Sequence, residues 1–79
     1  MSGAVHTLPA VGDVWQERDK RFTRYVRVIA IDDGWVNIQT VVPAQDGWGA
    51  KPRAQNRWAN IDRFDGRYGG YVFHQGGAA

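Results

Sequence analysis

Apolar and polar residues alternate along this chain in short stretches, the period expected of half-buried strands. Arg24–Ile31 (RYVRVIAI) and Trp35–Val42 (WVNIQTVV) are the longest such stretches and are rich in β-branched residues. Asp32-Asp33-Gly34 lies between them, and Asp and Gly accept the backbone angles of a tight hairpin turn. Asp13–Glu17, Arg57–Ile61 and Gly70–His74 read as three shorter strands. Pro43 is expected to end the third strand, because proline has no N–H for a ladder. Residues 18–23 read as a charged loop and residues 43–56 (PAQDGWGAKPRAQN) as a long polar one. Asp62–Gly66 reads as a single helical or tight turn.

The central hairpin has two candidate registers. A two-residue turn at Asp33-Gly34 sets Val28 opposite Gln39. A three-residue turn at 32–34 sets Val26, Val28 and Ala30 opposite Thr40, Ile38 and Val36. The second gathers the small β-branched side chains on one face and is the expectation, with Gly34 at positive φ. The expected core is Trp15, Val26, Val28, Val36, Ile38, Ile61, Val72 and Phe64. Trp58 and Phe73 are expected to be further core anchors. Trp58 shares a face with Asn60 while Arg57, Ala59 and Ile61 take the other, and alternation alone allows either face to be the inner one.

Five short antiparallel strands in residues 12–74, with one helical turn before the last, predict an all-β fold. A small closed barrel would remove the exposed edges of so short a sheet. The order of elements resembles the Src-homology-3-like small barrels, of which Tudor and KOW domains are types. The resemblance rests on the opening Gly12-Asp13-Val14-Trp15, a charged loop, a long hairpin, a turn around Asp62-Arg63-Phe64 and the closing Gly70-Tyr71-Val72-Phe73. It implies a five-stranded SH3-like barrel. The Ala-Leu-Tyr-Asp-Tyr-like run of peptide-binding members is missing, which argues against polyproline recognition. The GDVW opening and RF…GY close are also similar to short phage and prophage proteins, which would imply a mobile-element origin. Residues 1–11 read as a loose arm and residues 75–79 as a flexible tail.

The chain has 79 residues, enough for one small domain. A domain of this size buries only about 60% of its unfolded surface, so its core is marginal. It contains no Cys, which excludes disulfides and Cys-based zinc sites. Four Trp, three Tyr and three Phe must carry the packing instead. No apolar run approaches the ~20 residues of a membrane-spanning helix, so no membrane association is expected. The opening MSGAVHTLPA lacks the features of a signal peptide, so a cytoplasmic location is expected.

Net charge is +2, unevenly placed. Residues 1–50 hold five basic and six acidic side chains, whereas residues 51–79 hold five basic and two acidic. Enzymatic chemistry finds little to work with. Ser2 is the only serine, His6 and His74 are far apart in sequence, and no Walker loop is present. A small nuclease built on His74, Glu17 and an arginine is the catalytic arrangement these residues leave open. No cofactor and no metal is expected.

Binding has more support. Lys51, Arg53, Arg57, Arg63 and Arg67 are interleaved with aromatic residues. Cations that track phosphates and rings that stack bases are how single strands are held. Trp48, flanked by two glycines, is the expected ring contact. The expected function is a non-enzymatic module that contacts nucleic acid through these six residues. The alternative is a protein-interaction or assembly module using Trp35, Trp48 and the loop at 43–56.

Overall fold

In the computed structural model, residues 8–19, 21, 23–65 and 70–76 are described. Among the described residues, six strands form one antiparallel sheet: β1 (Val14–Arg18), β2 (Thr23–Asp32), β3 (Trp35–Ala44), β4 (Gly47–Ala50), β5 (Arg57–Asn60) and β6 (Tyr71–Gln75). Strand order is β4-β3-β2-β1-β6, and β5 pairs with β3 beside the residues β4 leaves open. The all-β, antiparallel expectation holds, but the count is six rather than five. The extra strand, β4, lies inside the segment expected to be a loop.

The extra strand forms because Pro43 does not end β3. Among the described residues, the last β2 partner in that direction is Tyr25, opposite Val41, so Pro43 lies beyond the β2 ladder. There the missing proline N–H leaves no ladder bond unmade. β3 continues to Ala44 and turns back, pairing Pro43 with Trp48 and Ala44 with Gly47.

The β2–β3 hairpin combines both candidate registers. Val26 opposes Thr40 and Val28 opposes Ile38, as the three-residue turn requires. Nearer the tip the pairing shifts, so that Ala30 opposes Asn37 rather than Val36 and Asp32 opposes Trp35. Asp33 (φ 47) and Gly34 (φ 82) then close a two-residue turn in left-handed backbone. An Asp-Gly pair favours this geometry, which matches the twist of the flanking strands. The residue that would have enlarged the turn is absorbed as a bulge at Ile29.

Alternation then sorts the side chains. Trp15, Val26, Val28, Val36 and Ile38 share the inner face with Ala59, Phe64 and Tyr71, and all eight are buried. Trp15 meets Phe64 and Phe73 edge-on, with ring centroids 5.1 and 5.5 Å away. Phe64 stacks on Tyr71 at 4.5 Å. Ile61 and Phe73 pack at the margin.

Two expected core residues lie elsewhere. β5 sets Ala59 opposite Val36, so Ala59 points inward and Trp58 outward, where it is 51% exposed. β6 sets Tyr71 opposite Glu17 and Val72 opposite Gln16, so Tyr71 takes the inner place expected of Val72. The helical turn is also shorter and earlier than expected. It is a 3-10 turn over Ile61–Arg63, capped by Asn60, whose side chain accepts from the Asp62 N–H at 2.9 Å.

Before β1, the Gly12 N–H donates to the Val28 carbonyl and the Ala10 N–H to the Asp13 carboxylate, both at 2.9 Å. Residues 10–13 are thereby tied to β2.

Candidate functional site

The alternation that buries the valines also builds a polar end to the inner face. On β2 the inward series Val28, Val26 continues to Arg24. On β3, Val36 and Ile38 continue to Thr40. On β1, Trp15 continues to Glu17, which sits opposite Arg24. On β5, Ala59 continues to Arg57, which sits opposite Ile38. Two arginines, a threonine and a carboxylate therefore meet where the apolar core ends.

Glu17 organises this group. One of its oxygens, Oε1, accepts from Arg24 Nε at 2.7 Å and from Arg57 Nη2 at 2.9 Å. The Glu17 side chain is only 11% exposed, against 40% for Arg24 and 36% for Arg57. Arg57 also donates from Nη1 to Thr40 Oγ1 at 3.3 Å. A buried carboxylate needs such partners, and the shared contact fixes where both guanidinium groups sit.

The segment after β4 supplies two more cations. The Lys51 N–H donates to the Thr40 carbonyl at 2.9 Å, and the Ala54 N–H to the Lys51 carbonyl at 3.2 Å. The second bond closes a turn with Pro52 in second place and Arg53, at φ 69, in third. That is the pattern of a type II turn, whose third position favours Gly or Asn. Arg53 is therefore held in backbone that side chains with a Cβ rarely adopt. Strain of this kind concentrates at functional positions.

Arg24, Thr40, Lys51, Arg53, Gln55 and Arg57 line an open cleft of about 290 Å³. Four cations face it, with Glu17 bound to two of them. Among the described residues, neither the Lys51 nor the Arg53 side chain has a hydrogen bond or ion pair, and both residues are exposed.

Of the residues expected from sequence, Lys51, Arg53 and Arg57 thus come together. Arg63 does not join them. It follows β5 at the end away from Arg57, and its guanidinium lies over the Tyr71 ring, 5.1 Å from the centroid. Arg67 lies outside the described residues. Trp48 lies on the outer face, in a cluster with Tyr25 (4.8 Å between centroids) and His74 (5.6 Å). Its indole N–H donates to Gln75 Oε1 at 3.1 Å, and its carbonyl accepts from Arg27 Nη2 at 2.9 Å. His74 and Glu17 are on opposite faces of the sheet, so the nuclease arrangement is not assembled.

Arg24 and Thr40 were missed because each sits at the end of a strand pattern dominated by hydrophobic residues. The Arg-x-Val-x-Val spacing over 24–28 carried the signal: it places Arg24 on the face of Val26 and Val28. Among the described residues, no group of three or more His, Asp or Glu is placed to hold a metal ion. No described helix is long and apolar enough to cross a membrane. Comparison with protein-family models, with curated proteins and with solved structures finds no match, so the cleft is read from its own chemistry.

Proposed function

We propose that this chain is a non-enzymatic binding module that holds a single nucleic-acid strand by its phosphates in the cleft of Arg24, Lys51, Arg53 and Arg57. The observation that carries the reading is the convergence of four cations from β2, β5 and the segment after β4 on one open, polar cavity. Guanidinium groups match phosphate oxygens in geometry as well as charge. β4 then links the cleft to rings. Ala50 and Gly49 separate Lys51 from Trp48, a step of about 10 Å along an extended strand. A strand leaving the cleft over this edge meets Trp48 and Tyr25 on the outer face, where bases can stack.

The same proposal includes an SH3-like barrel and a cytoplasmic setting. Residues of β5 and β6, at separate places in the sheet, contribute Ala59 and Tyr71 to a single core cluster with Trp15. That supports a sheet curled toward closure. A protein-interaction module is the second reading. It is favoured by Trp35 and Trp58, 49% and 51% exposed on the outer face, because exposed Trp is a frequent anchor of protein interfaces.

Titration with labelled single- and double-stranded oligonucleotides at about 50 and 200 mM salt separates the two readings. Strand binding weakens steeply with salt, and Lys51→Gln lowers the log–log slope by about 0.7. Absence of binding at micromolar protein in low salt refutes the proposal and leaves the protein-interaction reading.

A further inference from the structure

The cleft and the rings lie on different faces, and this separation bears on which phosphate enters. Among the described residues, no aromatic side chain lines the cavity, so a base drawn in with its phosphate finds no ring there to stack on. An internal phosphodiester carries a nucleoside on each side, and both would need room around a cavity of about 290 Å³. A terminal phosphate needs room on one side only.

Charge points the same way. Four cationic side chains face the cavity. Among the described residues, Glu17 is hydrogen-bonded to two of them and Asp19 interacts with Arg24 through charge. Counting both carboxylates leaves a local balance of +2 around one anion site rather than a row of single charges spaced along a groove. An internal phosphodiester brings one negative charge. A phosphomonoester brings about −1.5 to −2 near pH 7 and three strong acceptor oxygens.

We infer that the cleft is a pocket for a terminal phosphomonoester of a nucleic-acid strand, with the adjoining nucleotides led over β4 toward Trp48. This rests on the nucleic-acid reading above and narrows it to strand ends. The 5′ and 3′ phosphates share the chemistry, so the test carries an arm for each.

The experiment measures fluorescence anisotropy of the whole 79-residue chain with one short single-stranded sequence. The sequence is prepared with a 5′-phosphate, with a 3′-phosphate, or with hydroxyls at both ends, and labelled internally. A phosphoserine peptide of matched net charge is the fourth probe. The expected result is at least about tenfold tighter binding of one phosphorylated strand than of the hydroxyl strand at pH 7.5. That preference should shrink toward pH 5.5, where the monoester, whose second pKa is about 6, gives up its second charge. Arg53→Gly should abolish the preference while leaving the far-UV spectrum unchanged.

Equal binding of all three strands, with sensitivity to Arg53→Gly retained, overturns the terminal-phosphate inference and leaves the proposed function standing. Binding of no strand overturns both. Binding of the phosphopeptide as tightly as the phosphorylated strand overturns the assignment to nucleic acid.

Discussion

Arg53→Gly separates what the cleft does from what holds the fold. Arg53 occupies the third position of the turn closed by the Ala54 N–H, at φ 69. Left-handed backbone costs an L-residue about 1–2 kcal/mol. Glycine removes that cost but enlarges the conformational freedom of the unfolded chain, which offsets about 0.4–1 kcal/mol of the gain. The Arg53 side chain is exposed and has no polar partner among the described residues, so little packing is lost. The net expectation is a fold between unchanged and about 1.6 kcal/mol more stable. For a domain of this size each kcal/mol gained raises Tm by roughly 4–8 °C.

Binding moves the other way, because one of four cations facing the cavity is gone. Arg53→Ala is the companion variant: it removes the same charge and keeps the strained backbone. Thermal melts followed by far-UV circular dichroism, paired with oligonucleotide titrations, read both quantities. The two variants should lose affinity alike and differ in Tm, with Gly the higher. The reasoning is refuted if Gly melts several degrees below the parent, or if both variants bind as the parent does.

Four further outcomes follow from the same geometry. Ile38→Ala, fully buried at the centre of the core cluster, should cost about 2–5 kcal/mol in urea denaturation, whereas Trp58→Ala should cost under about 1 kcal/mol because the ring faces outward. Gly70→Ala should destabilise by about 1–3 kcal/mol, since a Cβ there would lie 2.5 Å from the Arg63 carbonyl oxygen; an unchanged melting curve contradicts that packing. Glu17→Gln should lower stability while strengthening oligonucleotide binding a few-fold at low salt, because the charge bound to Arg24 and Arg57 is removed; weaker binding would show that orientation outweighs charge. The Asp19 carboxyl should titrate below the ordinary Asp range by NMR, chiefly because it accepts the Arg21 backbone N–H. Its contribution to stability is present above the unfolded-state pKa and is lost as pH falls through the folded value. Arg21→Ala should weaken that depression without abolishing it, because the backbone donor remains.

Strand content was legible because the β-branched runs at 24–31 and 35–42 have little alternative to a buried hairpin. The register around Val26, Val28, Ile38 and Thr40 was legible because only one pairing puts the small apolar side chains together. The bulge at Ile29 was not, since nothing in the local pattern says whether an extra residue enlarges a turn or kinks a strand. β4 was hidden by Pro43, whose tolerance depends on whether β2 still runs alongside. Trp58 was misplaced because a four-residue strand alternates equally well either way round; the pairing of Ala59 with Val36 decides it. In the candidate site, the basic residues after position 50 were legible from charge. Arg24 and Glu17 were not, because only the fold brings β1 and β2 to the same end of the sheet as β5.

Entry of phosphate into the cleft between Arg24, Lys51, Arg53 and Arg57 can be read at the residues that line it. The most direct measurement is a ¹H–¹⁵N NMR titration of the labelled chain with a short phosphorylated single strand, following backbone amides and arginine Nε–H resonances. The largest shifts are expected at Thr40, at the amides of Lys51 and of Arg53 to Arg57, and at the Nε–H groups of Arg24, Arg53 and Arg57. Smaller shifts should follow at Trp48 and Tyr25. Shifts centred on Trp35, Trp58 and the Asp33-Gly34 turn, with the cleft resonances unmoved, would contradict it.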